Sequence, residues 1–469
     1  MDSQLIPLWE IAGASSPAAS WLEPPLSRDY QVLTSSLGEH VFVVNGSRLY
    51  DVDAATASRI RHLLQQPEPD AEARQALESA FGNGHTYIDG QPLPTPPLRS
   101  LSLNVAQSCN LGCQYCYADE GRFGSSSKFM STDIACQAVD RLLAEAEPGV
   151  DVIVGYMGGE PLLNRRVVHQ CTRYAAEQAQ RSGHRVRFSL TTNATLVTPE
   201  DAALFREHAF AVTVSVDGPK ALHDRLRPAH KGGGSYDEMC RGLALIMADG
   251  GPGHVSARIT VTPHSGALLP VLRHVVDMGV GDAGFAPVQV SPNPAYAFGP
   301  ADFEWFLNEM IRCGEAAKAA LLRRERFPFS NFETALNEIH RGSHRPYPCG
   351  AGAAYLSVNA EGELYACHRL VDAENWHMGN VSQGSDQAAR QQHLNQHHVD
   401  RQLPCRNCWA RYLCGGGCYH EVEQRGRPHC DYVRGWLAFC LSAYAELAAQ
   451  QPAYFRDPLR YFDVVTANR

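Results

Sequence analysis

The chain has 469 residues, 44% hydrophobic and 19% charged, with a formal net charge of −9. That balance excludes a disordered polymer and predicts two or three soluble globular domains. Its basic residues form no stripe, which argues against nucleic acid as a partner, and no apolar run is long enough to span a membrane.

The opening residues MDSQLIPLWEIAGASSPAAS lack a basic stretch followed by an apolar core. A secretory signal is therefore not expected, and a cytoplasmic location is. Residues 1–98 read as a small α+β module of strand, strand and helix. Val41–Val44 and Arg48–Val52 are β-prone runs around an Asn45-Gly46 hairpin turn, Ala54–Gln65 has helical spacing, and the Pro-rich DGQPLPTPPLRS reads as a linker.

From 99 to 300 the pattern alternates. Apolar runs at Leu101–Val105, Val152–Val154, Val186–Leu190, Ala211–Val216, Ala257–Val261 and Gly284–Val288 predict strands. Helical stretches lie between them, among them Thr132–Glu147, Arg165–Arg181 and Tyr236–Ala248. Six such β-then-α units predict an α/β fold with a parallel sheet, open or curled into a partial barrel. Residues 301–345 read as a helical connector. Residues 346–469 are rich in Cys and Gly, the composition of a small domain stapled by metal. The tract QQHLNQHH is expected to be a solvated loop.

The 15 cysteines are clustered, which in a cytosolic chain points to metal ligation rather than disulfides. Cys109, Cys113 and Cys116 form C-x3-C-x2-C directly after the first strand of the alternating region. Three thiolates hold a cubane iron–sulfur cluster with one iron left open. A zinc knuckle would want a fourth ligand nearby, and the next 19 residues contain no His or Cys. Later strands end in short polar or glycine-rich segments: Gly158-Gly159-Glu160-Pro161, Thr191-Thr192-Asn193 and Ser215-Val216-Asp217-Gly218. The C-terminal ends of strands are where barrel-like folds gather reactive groups.

Near the end, Cys349 and Cys367 flank Gly362, and Cys405, Cys408, Cys414 and Cys418 follow as C-x2-C-x5-C-x3-C, with Cys430 and Cys440 beyond. Eight thiolates make two four-ligand sites, and spacing alone divides evenly between zinc and iron–sulfur. Cys136, Cys171, Cys240 and Cys313 lie in helical patterns and read as core.

In these motifs the sequence resembles the radical S-adenosylmethionine superfamily, and its end resembles the SPASM extension. The resemblance covers roughly 99–300 and 346–469, and implies a partial (β/α)6 TIM-like barrel. It implies three [4Fe–4S] clusters, with S-adenosylmethionine on the open iron of the Cys109/Cys113/Cys116 cluster. By the same resemblance, Tyr115 packs near the adenine and Gly158, Gly159 and Glu160 meet the methionine amino group. Thr192, Asn193, Ser215 and Asp217 suit the ribose and carboxylate. Cys349, Cys367 and Cys418 belong to a first auxiliary cluster, and Cys405, Cys408 and Cys414 to a second. Cys430 fits best as the second cluster's closing ligand, whereas Cys440 either closes the first or is a buried helix residue. His223, Asp224 and Arg227 match a segment common in relatives and read equally as a structural ion pair.

The resemblance implies an enzyme that modifies a peptide or small protein and takes electrons from a flavodoxin or ferredoxin. The layout looks most like thioether-forming peptide maturases such as the quinohemoprotein amine dehydrogenase maturation group. Carbon–carbon cross-linking and sulfatase maturation to formylglycine are alternatives. Sulfatase-maturing relatives carry Asp after the second cysteine of the auxiliary motif, where this chain has His368. The N-terminal module loosely resembles wedge domains that grip leader peptides by strand addition, or is a plain cap. From a different class, a non-catalytic zinc-binding interaction protein fits the cysteine pairs alone.

Overall fold

Alternating apolar and polar positions leave each central strand with one face for helices and one for something else. The computed structural model describes residues 26–66, 71–82, 84–124, 126–456 and 461, so the N-terminal segment read above for a signal lies outside the described residues.

A three-stranded antiparallel sheet comes first: β1 (Tyr30–Ser35), β2 (Gly38–Val43) and β3 (Arg48–Val52), followed by α1 (Ala54–Leu64) and α2 (Ala71–Phe81). The sequence reading found β2, β3 and α1 but missed β1. The β2–β3 turn also differs from expectation. Val43 pairs with Arg48 across a four-residue loop, and the left-handed positions are Gly46 and Ser47 rather than Asn45-Gly46.

The main sheet begins with β4 (Ser100–Gln107), beside which lies the short β5 (Lys128–Phe129). Then α3 (Thr132–Glu145), β6 (Asp151–Gly158), α4 (Arg165–Arg181), β7 (Arg185–Thr192), α5 (Pro199–Glu207) and β8 (Ala211–Ser215) follow in turn. After α6 (Lys220–Leu226) and α7 (Tyr236–Met247) come β9 (His254–Val261), α8 (Leu268–Val276) and β10 (Asp282–Pro287). The six long strands are parallel in the order β10-β9-β8-β7-β6-β4. All six predicted apolar runs fall on them. Val255, Ala257, Ile259 and Val261 of β9 are buried in the same core as Val271, Leu272 and Val275 of α8, while Ser256, Arg258 and Thr260 point to the other face.

The helices α9 (Pro300–Leu322) and α10 (Ser330–His340) occupy the predicted connector. Beyond them β11 (Tyr355–Val358) pairs parallel to β4, and β12 (Glu363–Tyr365), β13 (His377–Asn380) and β14 (Gly384–Ser385) continue the same sheet. The cysteine-rich region thus extends the barrel sheet and shares its core, through Leu356, Val358, Trp409 and Leu441 among others. The His/Gln tract is a correction: it lies in α11 (Gln387–His397), capped by Asp386, with Arg390, His393 and Leu394 buried. Arg390 explains the burial, because its guanidinium donates to the carbonyls of Pro96 and Ala353 and ties the Pro-rich strap to the sheet. The chain closes with α12 (Arg411–Cys414), α13 (Tyr419–Arg425), α14 (Cys430–Gln450) and α15 (Pro452–Arg456). No helix among the described residues is long and apolar enough to cross a membrane.

Candidate active site

Leaving β4, the chain enters the loop that carries Cys109, Cys113 and Cys116. Glycine makes this loop possible. A Cβ on Gly158 (φ +141°) would sit 2.3 Å from the Ala106 carbonyl oxygen, and one on Gly159 would sit 2.3 Å from that of Ser108. With no side chains there, Gly159 N donates to Ala106 O and Glu160 N to Ser108 O, both at 2.9 Å. The far side of the loop is held by Gly112 N and Gln114 N, which donate to the carbonyls of Pro228 and Leu226.

Beneath the loop lies a buried polar frame. The Glu160 carboxylate accepts from Leu162 N, Thr192 Oγ1 and Asn193 N at 2.8–3.0 Å. Burial pushes its pKa up, against the pull of those donors. Glu160 and Thr192 therefore pin the end of β7 to the end of β6. Asn193 Nδ2 reaches Asn110 Oδ1 at 2.9 Å and Cys109 Sγ at 3.9 Å. Asp217 accepts from Tyr115 Oη (2.6 Å) and from Thr260 N (3.1 Å), and Arg227 Nη1 donates to Tyr115 Oη at 2.5 Å. Ser215 is half-buried at the end of β8, and its hydroxyl has no hydrogen bond among the described residues.

The residues read from sequence as an ion pair divide. His223 and Asp224 organise the next turn through Ser235 and Tyr236. Arg227 belongs to the site itself, because it acts electrostatically on Cys109, Cys113, Glu160 and Asp217. Its Nε is buried and has no partner among the described residues. Only its position in the HD-x-x-R segment hinted at this.

The thiols fall into three groups. Cys109 feels Cys113, and Cys113 feels Cys116; burial pushes Cys109 to about 12 and Cys113 to about 11. Cys367 feels Cys418 and Cys349. Cys414 feels Cys405, Cys408 and Cys430, and these four line one cavity together with Arg427 and Arg434. Cys440 stands apart. It lies ten residues beyond Cys430 on α14, about 15 Å along the axis, and burial alone accounts for its raised pKa. It is buried within α14, and no other thiol acts on it electrostatically. Cys171 and Cys313 are likewise buried helix residues.

Sequence reasoning also missed the link between the first two groups. Tyr117, next to Cys116, lies under the Arg369 guanidinium at 4.5 Å. Arg369 Nη1 in turn approaches Cys418 Sγ (3.5 Å) and Glu421 Oε1 (2.7 Å). His368 is enclosed beside them, with Nδ1 3.0 Å from Tyr355 Oη, and burial lowers its pKa to about 4.

Residues 103–266 match the model of the Radical SAM superfamily. This segment is a radical SAM domain. It runs from within β4 almost to the end of the loop before α8, and so contains the Cys109/Cys113/Cys116 loop and its polar frame. The serine-type anaerobic sulfatase-maturating enzyme of Klebsiella aerogenes is 24% identical over 361 residues, 72% of this chain and 84% of that one. The structure of anSMEcpe with bound AdoMet superposes with a TM-score of 0.65 at 20% identity, covering 75% of this chain and 99% of that one. Streptococcus suis SuiB bound to precursor peptide SuiA gives 0.50 at 14% identity, covering 86% and 97%. The domain and its relatives mark the chain as an enzyme with the radical SAM α/β fold.

A radical SAM domain implies a [4Fe–4S] cluster and S-adenosylmethionine, and the residues present fit that pair. Cys109, Cys113 and Cys116 share one loop and act electrostatically one on the next, the three thiols that leave one iron of a cubane open. The unpartnered Arg227 Nε offers a buried cationic donor to an anionic group beside the thiol loop.

Proposed function

We propose that this enzyme modifies a peptide or small protein, and that the bond it makes is an intrapeptide thioether. Cys109, Cys113 and Cys116 would hold the radical SAM cluster. Cys349, Cys367 and Cys418 would hold a first auxiliary cluster, and Cys405, Cys408, Cys414 and Cys430 a second. When bound, the first cluster and S-adenosylmethionine supply a 5′-deoxyadenosyl radical able to remove hydrogen from an unactivated carbon.

The remaining work belongs to the chain's own residues. Glu160 and Asn193 fix the strand ends on which the nucleotide would rest, and Arg227 places positive charge beside the thiol loop. Tyr117 and Arg369 bridge the first two thiol groups through a cation–π contact and an approach to Cys418. Relatives of known function support the peptide substrate: they mature sulfatases or, in SuiB, bind a precursor peptide.

One observation carries the thioether reading. With Cys440 set apart, Cys349, Cys367 and Cys418 supply three thiols, and a cluster held by them would leave its fourth position to a ligand from outside the chain. A cysteine thiolate of the peptide has the chemistry to fill it.

Sulfatase maturation is the second reading, favoured by the sequence relatives. Against it stands His368, a neutral imidazole tied to Tyr355, in the place of a carboxylate. Co-expression with any short cysteine-containing peptide found encoded beside the gene, followed by mass spectrometry, separates the two. Loss of two hydrogens together with loss of the alkylatable thiol supports a thioether. A product that reacts with a hydrazide is an aldehyde and supports formylglycine. Loss of two hydrogens with the thiol still free indicates a carbon–carbon bond.

A further inference from the structure

On the sheet face turned away from the helices, the strands carry mostly small or uncharged side chains, such as Ser102, Ser189, Thr213 and Ser256. The charges at the starts of these strands are paired. Arg185 and Arg187 reach Asp151 at 2.6 and 2.7 Å, and His254 reaches Asp282 at 2.5 Å. Arg258, in the middle of β9, is different. Its guanidinium has no ion pair and no hydrogen bond among the described residues.

Arg258 is open to water yet surrounded by protein, because it looks onto a cavity of about 330 Å³ walled also by Asn331, Glu338, Arg345, Leu413 and Leu437. The carboxylates within its reach are already used. Glu338 faces Arg345 at 3.6 Å. Glu421 accepts from Arg369 through Oε1 and from Gln289 through Oε2. Arg369 adds a second, repelling positive charge, and with desolvation it disfavours the Arg258 cation. An arginine remains charged even so, and Glu421, which favours that charge, is itself bonded to Arg369, so no carboxylate among the described residues pairs with the Arg258 guanidinium. A planar fork of donors fits a carboxylate in bidentate fashion.

Arg258's electrostatic neighbours also place the pocket. They are Arg369, Glu421 and Tyr117, the surroundings of Cys418, together with Tyr432 of α14. The first thiol group answers instead to Arg227, Asp217 and Glu160. Arg258 therefore faces the auxiliary side of the site, while its backbone, in register with Ser215 and accepting from Val216 N, ties it to the strand end that carries Asp217.

We propose that Arg258 binds a carboxylate of the peptide substrate, an aspartate or glutamate side chain, and so selects acidic sequence beside the residue that reacts. This rests on the reading of the chain as a peptide-modifying enzyme.

The test uses reconstituted holoenzyme with S-adenosylmethionine and two probes, N-acetyl-glutamate N-methylamide and its glutamine counterpart, followed by saturation-transfer NMR. The acidic probe should bind at least tenfold more tightly than the neutral one. Arg258→Gln should remove that preference, and Arg258→Lys should keep part of it, with S-adenosylmethionine affinity by equilibrium dialysis unchanged in both. Should Arg258→Gln fail to fold, Arg258→Lys gives the same reading. Equal binding of the two probes to the wild type overturns the proposal, as does a preference that survives Arg258→Gln. A tenfold loss of S-adenosylmethionine affinity with probe binding intact also overturns it, assigning the arginine to the cofactor's own carboxylate. Probe binding is read without turnover, so an enzyme that selects the acidic probe but modifies no peptide would count against the function and leave the pocket standing.

Discussion

Tyr115 donates a 2.6 Å hydrogen bond to Oδ2 of Asp217, joining the cysteine loop to the segment after β8. Both residues are buried, and Arg227 completes the cluster from Tyr115 Oη, 3.9 Å from Asp217 Oδ2. Burial raises the Asp217 pKa and Arg227 pulls it back down, so the carboxylate depends on its partners to stay charged. Tyr115→Phe removes one donor and should cost about 1–3 kcal/mol. Arg227→Met leaves a buried carboxylate without its cation and should cost more, about 3–5 kcal/mol. Anaerobic urea unfolding of the two variants gives the order. Equal losses would mean that the ion does no more than the hydrogen bond.

The three thiol groups predict how iron is lost. Cys113→Ala should abolish cleavage of S-adenosylmethionine. Cys408→Ala should spare uncoupled cleavage while blocking product. Cys440→Ala should retain the wild-type complement of iron and sulfide, about twelve of each if all three groups hold cubanes. Its expected cost is a packing loss of about 1 kcal/mol. Anaerobic cleavage and product assays check the first two, and iron and sulfide analysis of anaerobically purified protein checks the third. A fall of four irons in Cys440→Ala would return that residue to the ligand set.

Gly159 should tolerate no side chain. The Cβ of Gly159→Ala would lie 2.3 Å from Ser108 O and 2.9 Å from Cys109 N, both backbone atoms with no rotamer to yield. The loop must shift, at about 1–3 kcal/mol, and because Cys109 moves with it, iron occupancy of the first group should fall as well. Gly183→Ala is a matched control, since nothing lies within 4 Å of its Cβ although its φ of +75° carries some strain. Iron retention in Gly159→Ala equal to that of Gly183→Ala would show the loop to be more compliant than its contacts suggest.

What the sequence made legible follows from period and spacing. The six strands of the α/β region announce themselves because each is apolar on the helix side, and β9 keeps a strict alternation from Val255 to Val261. The C-x3-C-x2-C loop is legible because its ligand types are rare and closely spaced. β1 was missed because only Tyr30, Val32 and Leu33 of it are buried, too few to stand out from a loop. α11 was missed because its buried residues are Arg390 and His393 beside a single leucine, and polar side chains enter a core only where distant carbonyls wait for them. Arg369 was invisible, and Arg227 legible only as part of the HD-x-x-R segment, for a related reason. Their importance lies in partners more than 45 residues away, which no local pattern encodes.

His254 provides a pH test at the opposite end of the strands from the cysteine loop. Its hydrogen bond to Asp282 raises its pKa above the ordinary 6.5, with desolvation opposing, Arg326 lowering it slightly and Glu333 raising it. A histidine whose folded-state pKa is raised contributes stability in its protonated form. That contribution is complete below about pH 6.5, the unfolded value, and fades as pH rises through the higher folded value. Thermal melts of wild type and His254→Gln should therefore differ more at pH 6 than at pH 8.5, with the wild type the more stable at pH 6. The pair is partly exposed, so added salt should narrow the gap at pH 6. A gap that is the same at both pH values, or wider at pH 8.5, would mean that packing of the ring, rather than its charge, joins the starts of β9 and β10.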